Sequence, residues 1–212
     1  MLPPKNRVRC ARIILGSPLA HLVVATTNPG KIREILRVLT GIPVALSTLA
    51  DYPSIPEPAE SGATFAANAQ LKARYYATAV RLPTVAEDSG LAIDALGGRP
   101  GVLSARYPGE SYAEKFDGLY RELRSHPRPW TARFVCSLAV IDGASADGAL
   151  FSCEATVEGE IAPAPRGTNG FGYDPIFFYP PYRKTLGEAT DAEKLAVSHR
   201  GQAFRMLREW LL

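Results

Sequence analysis

Apolar and polar positions along the chain alternate in short blocks whose period changes several times. His21-Leu-Val-Val-Ala25 is a compact apolar run and reads as a buried strand. Asn28 then offers an N-cap side chain and Pro29 a first-turn proline. Ile32, Ile35, Leu36 and Leu39 follow at helical spacing, and Gly41 supplies a stop. A second helix is predicted from a Thr64 cap to about Val80, where Ala66, Ala67, Ala69, Ala73, Ala77 and Ala79 favour helix and permit close packing. Asn68 and Lys72 share one face of it. Leu82 to Ala86 reads as another buried strand, which ends at Glu87-Asp88-Ser89-Gly90. Arg133 to Ile141 and Leu150 to Ile161 are strand-like, and the turn-rich Asp142-to-Gly148 connector predicts that they form a hairpin. Thr190 and Glu193 make a capping box, and Phe204, Leu207 and Leu211 give a last helix its apolar stripe. With no internal repeat and no low-complexity linker, residues 21–212 read as a single α/β unit.

Composition narrows this picture. The 212 residues carry a formal charge of +3, too little for the dense basic surface of a general nucleic-acid binder, so polymer DNA or RNA is not expected as a partner. Cys10, Cys136 and Cys153 contain no C-x-x-C pair, which encodes neither a zinc site nor a disulfide framework and fits a reducing, cytoplasmic setting. The longest apolar runs fall well short of the ~20 residues a bilayer span needs, so no membrane partner is expected. Residues 1–20 differ from the rest: Lys5, Arg7, Arg9 and Arg12 are their only charges, and Pro3, Pro4 and Pro18 interrupt any helix. They are expected to be a poorly ordered N-terminal extension, read either as a bland extension or mis-assigned start, or as a transit peptide, although they are neither Ser-rich nor amphipathic as such a peptide usually is.

Candidate chemistry sits at the junctions between these elements. The turn Ala25-Thr26-Thr27-Asn28-Pro29-Gly30-Lys31 joins a strand to a helix, which presents backbone N–H groups and a positive dipole end to an anion. It is not a P-loop, because Ala25 and Ile32 stand where that motif needs Gly and Ser or Thr. An ordinary capped helix start is the alternative. Asp88 is expected at the C-terminal end of a buried strand, where open α/β sheets bind ligands, as a carboxylate able to hold Mg2+. A solvated strand end is the alternative there. Glu87, adjacent on the strand, is expected to face the opposite way. Glu57 and Glu60 precede the second helix and either approach the same metal or favour the helix dipole. In Gly167-Thr-Asn-Gly-Phe-Gly-Tyr-Asp-Pro175, glycines bracket Phe171 and Tyr173, the composition of a loop that stacks on a flat ligand or of a turn whose aromatics fill the core. Lys194, Ser198, His199 and Arg200 form a polar cluster at a helix-to-helix junction, and the last two are able to read a base edge by hydrogen bonding.

Taken together, five blocks in order resemble the non-canonical purine nucleoside triphosphate pyrophosphatases, the inosine/xanthosine triphosphatase family. They are Ala25 to Lys31, Ser61 to Ala73, Glu87 to Leu91 with Gly97 to Gly101 and Ser104 to Tyr107, Gly170 to Ile176, and Ser198 to Ala203. The resemblance implies Mg2+-dependent hydrolysis of ITP, dITP and XTP between the α and β phosphates, yielding the nucleoside monophosphate and pyrophosphate. It implies Asp88 as metal ligand and proton acceptor and Glu60 as a second metal contact. Thr26, Thr27, Asn28, Pro29, Gly30, Lys31, Lys72 and Ser89 would hold the triphosphate. Phe171, with Gly172, Tyr173, Asp174, Lys194, His199 and Arg200, would hold the purine. Donors such as Arg200 would favour the keto group at purine position six over the adenine amine. Also implied are a homodimer and an α/β fold with an elongated mixed β-sheet flanked by helices, in two lobes with the active site in the cleft between them. Glu87 departs from the Asp that relatives commonly carry. The rivals are a pyrimidine-directed triphosphate pyrophosphatase of the septum-inhibitor type and a non-catalytic nucleotide-binding module. Phe171 and the Ser198-His199-Arg200 block stand against the first, and Asp88, Glu60, Lys31 and Lys72 together stand against the second.

Overall fold

The caps predicted at Asn28 and Thr64 form as expected. Helix α1 (Pro29–Leu39) begins where the Asn28 side chain accepts the N–H groups of Gly30 and Lys31 at 2.9 and 3.1 Å. Helix α2 (Phe65–Val80) begins where the Thr64 hydroxyl accepts the Ala67 N–H at 3.1 Å. The computed structural model describes residues 8–12, 19–143 and 149–212, with the backbone alone at 8–12.

Strand β2 (His21–Val24) runs parallel to β3 (Ala45–Thr48) and to β4 (Thr84–Ile93). Strands β5 (Thr131–Ile141) and β6 (Phe151–Ile161) form the predicted antiparallel hairpin: the Leu150 N–H meets the Val140 carbonyl and the Ile161 N–H meets the Trp130 carbonyl. Much of its connector, residues 144–148, lies outside the described residues. Strands β7 (Phe177–Tyr179) and β8 (Lys184–Thr185) extend the sheet antiparallel, giving the order β3-β2-β4-β5-β6-β7-β8. The expected mixed sheet with flanking helices is what the chain builds. Within the expected extension, Val8–Arg12 forms a strand, β1, antiparallel to β6, where the apolar pattern assigned no element. Residues 1–7 and 13–18 lie outside the described residues.

The chain divides into two compact units, and β4, β5 and β6 each contribute to both. One unit comprises residues 8–88, 136–155 and 200–212. Its strands present two apolar faces by strict alternation. On one face Leu22, Val24, Val85, Leu138 and Val140 pack with Ile35 and Leu39 of α1 and with Ala203, Phe204 and Leu207 of helix α5 (His199–Leu211). On the other, Ala25, Ala86, Ala139 and Ile141 pack with Ala73, Tyr76 and Ala77 of α2, where the small side chains allow close approach. The second unit includes residues 89–135 and 156–199. Its core joins Leu91, Ile93, Phe134, Val157 and Phe177 to Phe116, Leu119 and Leu123 of helix α3 (Tyr112–Leu123). Helix α4 (Asp191–Val197) starts with the predicted Thr190–Glu193 capping box.

Two sequence readings need correction. Strand β4 does not end at Glu87-Asp88-Ser89-Gly90 but runs through it to Ile93, so Asp88 lies in mid-strand. Gly90 is required there for close approach: a Cβ would overlap the Ser104 side chain and stand 2.6 Å from the Gly101 carbonyl. Helix α3 falls where the apolar pattern assigned no element, although Ser111 caps it through the Glu114 N–H and Phe116, Leu119 and Leu123 mark its buried face.

Candidate functional site

Alternation along β4 decides what surrounds its two acids. Asp88 follows Ala86 onto the face covered by α2, and Glu87 follows Val85 onto the face covered by α1 and α5. Asp88 is 6% exposed. Lys72 donates to its Oδ1 at 2.9 Å and Asn68 to its Oδ2 at 3.1 Å, so the predicted shared face of α2 is the one that meets Asp88. The Lys72 ammonium also donates to Glu60 at 2.5 Å. Burial disfavours the Lys72 charge, but Asp88, Glu87 and Glu60 outweigh it and raise the pKa above its ordinary value. Asp88 is shifted up: burial of the carboxylate outweighs the attraction of Lys72. Glu57 and Glu60 separate in role. Glu60 joins this cluster, while Glu57 accepts the Thr27 hydroxyl at 2.7 Å and braces the turn.

Asp88 and Glu60 thus converge on one cationic point held by Lys72. Among the described residues no three His, Cys, Asp or Glu side chains gather as a metal cage. Two hard carboxylates with phosphate oxygens and water are nonetheless the donor set Mg2+ ordinarily takes, so these residues fit that ion.

The Ala25–Lys31 turn folds differently from the expectation of open backbone donors. Asn28 Oδ1 takes the Gly30 and Lys31 N–H groups, and Thr26 Oγ1 takes the Asn28 N–H at 3.3 Å. Asn is among the strongest N-caps, and here its side chain fills the place an anion would take. Pro29 serves as first-turn residue. Lys31 reaches Glu87 at 2.7 Å, and Arg200 meets the same carboxylate oxygen at 3.4 Å. Burial opposes the Glu87 charge, yet Arg200, Lys31 and Lys72 hold its pKa well below the usual carboxylate range. Arg200 also donates to Glu34 of α1 at 2.8 Å. Spacing offered only one weak signal for Glu34, its place one helical turn beyond Lys31.

In the second unit, Asp174 organises the Gly-rich loop. Its carboxylate accepts the Phe171 N–H at 2.7 Å and pairs with the buried Lys194 ammonium at 2.6 Å. Lys194 stands 4.2 Å from the centroid of the Phe171 ring, a cation–π contact that fixes that ring. Gly170 and Gly172 have φ of +73° and +66°, which favours glycine at both. Tyr173 is buried, edge-on to Tyr112, and its hydroxyl donates to the Ser104 carbonyl at 2.8 Å. Its side chain therefore anchors the loop from within the core. His199 is also buried, stacked on Phe134 with centroids 4.8 Å apart. Ser89 is half-buried and follows Asp88 directly on β4. No helix of the described residues is long and apolar enough to cross a membrane.

The chain has counterparts among known proteins. The model of the Ham1 family matches residues 22–210. This chain belongs to the Ham1 family. It is 45% identical over 194 residues to a dITP/XTP pyrophosphatase of Geobacillus kaustophilus, covering 90% of this chain and 94% of that one. It is 47% identical over 193 residues to one from Thermus thermophilus, covering 89% and 90%. A solved HAM1 protein from Coxiella burnetii matches with a TM-score of 0.84 at 38% identity, covering 91% of this chain and 98% of the other. The family match takes in every candidate site residue described above, from Thr26 to Arg200.

Proposed function

We propose that this protein hydrolyses aberrant purine nucleoside triphosphates, ITP, dITP and XTP, to the nucleoside monophosphate and pyrophosphate, and so cleanses the nucleotide pool. The observation that carries the reading is the buried Asp88 carboxylate, held by Lys72 and Asn68 with Glu60 on the same lysine. A non-catalytic nucleotide binder has no use for a half-compensated acid at that depth. Asp88 and Glu60 would hold Mg2+, which would supply charge compensation and acidify water. The remaining work falls to the chain itself. Asp88 takes the proton of the attacking water, a role that its position beside Lys72, Asn68 and Glu60 supports. Lys72 and Lys31 offset charge that grows on the departing pyrophosphate. Phe171, fixed by Lys194 and Asp174, offers a ring to the purine. The Thr26 and Ser89 hydroxyls and the Asn28 amide nitrogen serve the phosphates, and Thr27, held by Glu57, shapes the turn that carries them. The protein acts as a cytoplasmic homodimer in this reading.

The test is incubation of purified protein with ITP, XTP, dITP, ATP, GTP and dTTP, with and without Mg2+, and identification of the products. Inosine, deoxyinosine and xanthosine monophosphates with pyrophosphate are expected, only with the metal. Orthophosphate as the product would refute the bond assignment, and preference for ATP or dTTP would refute the substrate class.

A further inference from the structure

Two aromatic rings of the second unit each carry a lysine ammonium above them. Lys194 stands 4.2 Å from the centroid of Phe171, and Lys115 stands 5.1 Å from that of Tyr112. The first pair belongs to the Gly-rich loop and its purine-facing ring. The second sits at the start of α3, outside the five blocks that carry the family resemblance, and the reaction as described makes no use of it.

Local rules place Tyr112. Ser111 caps α3 through the Glu114 N–H at 3.2 Å, which makes Tyr112 the first residue of that helix. Lys115 and Phe116 follow at i+3 and i+4 and share its face. Phe116 is buried, with its ring centroid 6.0 Å from that of Tyr173, so this face of α3 is fixed in the core. The buried Lys115 ammonium donates to the Ala105 carbonyl at 2.7 Å while it stands over the Tyr112 ring. Tyr112 itself is 42% exposed, whereas Tyr173, which it meets edge-on at 5.3 Å, is 4% exposed.

The phenol end of Tyr112 reaches the Gly-rich loop. A Cβ at Gly172 would stand 3.5 Å from the Tyr112 hydroxyl oxygen and 3.7 Å from the ring carbon that bears it. These are ordinary van der Waals distances, so loop and ring are separated by the room for one methyl group. Glycine at 172 is therefore called for by its φ of +66° and not by crowding. Asp174, whose carboxylate accepts the Phe171 N–H, also acts on Tyr112: burial first, and then the Asp174 charge, raise the pKa of the phenol. The turn from Phe171 to Asp174 thus has Tyr173 rooted in the core and Tyr112 standing beside it.

We propose that Tyr112 is a positioning residue of the purine site: its ring, braced by Lys115, is an outer stop beside Gly172 and Tyr173 that confines the loop presenting Phe171. This rests on the functional reading above only in taking a purine as the group that Phe171 receives. A loop already confined loses less conformational freedom when the base docks, so the ring strengthens base binding without touching the base. Its influence runs through Phe171 and does not extend to the phosphates.

The experiment compares full-length Tyr112→Ala with wild type in steady-state kinetics on ITP, in inhibition by inorganic tripolyphosphate, which has no base, and in amide hydrogen exchange at residues 171–174. KM for ITP is expected to rise about 2- to 10-fold, the scale of one aromatic pair, with kcat changed far less. The tripolyphosphate inhibition constant should stay at the wild-type value, and exchange in the loop should become faster. Tyr112→Phe keeps the ring and should restore all three readouts. An unchanged KM, or tripolyphosphate inhibition weakened as much as KM, would overturn the proposal. A Tyr112→Phe protein as impaired as Tyr112→Ala would also overturn it, by assigning the effect to the hydroxyl. If Tyr112→Ala does not fold, Tyr112→Leu, which keeps apolar volume without the ring, takes its place in the same comparison. A wild-type protein that leaves ITP intact would refute the functional reading, whereas the exchange comparison would still decide whether Tyr112 confines the loop.

Discussion

Asp88→Asn separates catalysis from folding at this site, because the substitution keeps shape and removes charge. The attraction lost is that between Asp88 and Lys72 at 2.9 Å, a gross ~6 kcal/mol at an effective dielectric of about 20. Against it stands the cost of holding a carboxylate that is 6% exposed, several kcal/mol per buried ion. The upward shift of the Asp88 pKa shows that burial wins this contest, so neutralising the group does not remove a net stabilising charge. The remaining cost is geometric. The substituted amide would have one carbonyl oxygen for the two donors of Asn68 and Lys72, and an unsatisfied buried pair costs about 1–3 kcal/mol. Lys72 keeps Glu60 throughout. We therefore expect stability to change by no more than ~2 kcal/mol in urea denaturation, while turnover of ITP at saturating Mg2+ falls at least ~10²-fold, the lower end of what a positioned acid or base contributes. A folded Asp88→Asn protein with wild-type turnover would remove Asp88 from the reaction centre. Loss of folding, with unaltered activity per folded molecule, would make it a structural residue only.

Other parts of the molecule supply three further tests. Phe171→Ala should raise KM for ITP by about 5- to 100-fold, the worth of one base–aromatic stack, with kcat changed far less, and a fall in kcat alone in steady-state kinetics would refute the stacking role. Gly90→Ala should cost ~1–3 kcal/mol in urea melts, because the new Cβ meets Ser104 and the Gly101 carbonyl at 2.6 Å and the 101–106 turn must shift. A neutral effect there would mean that the turn yields freely. Glu193 is held to a pKa of about 2 by Lys184 and by the Thr190 cap, against an ordinary 4.5. Since the folded value is depressed, its contribution is present above pH 4.5 and lost as pH falls toward 2. Glu193→Gln should therefore be less stable than wild type near neutral pH, with the gap closing as the pH approaches about 2, and a gap independent of pH would refute the pairing.

Local elements were legible where a single residue supplies the chemistry. Asn28, Thr64 and Thr190 cap their helices as their side chains predict, since a cap needs only N–H groups two or three residues away. The β5–β6 hairpin was legible from two apolar runs and a turn-rich connector. Edge elements were not: β3 with four residues and β8 with two carry too little pattern to stand out from a loop. Helix α3 was legible in principle, through Ser111 and the spacing of Phe116, Leu119 and Leu123, but its charged residues obscure that stripe. The strand end expected at Glu87-Asp88-Ser89-Gly90 was wrong, because the glycine there answers to Ser104 and Gly101 packed against it and the strand runs on to Ile93.

The sequence by itself determined the family, the alternation that sends Glu87 and Asp88 to opposite faces of β4, and the shared face of Asn68 and Lys72 on α2. The last two follow from the periods of strand and helix, which are properties of the backbone alone. Only the tertiary structure decided which groups those faces would meet. It gave Asp88 the Lys72–Glu60 pair and Glu87 the Lys31–Arg200 pair, and it turned Tyr173 and His199 into the core. Partners such as Arg200 and Glu34 are 166 residues apart in the chain, and no local spacing encodes a contact of that range. Their pairing is set by how α1 and α5 pack on one face of the sheet, where a buried charge must find its opposite.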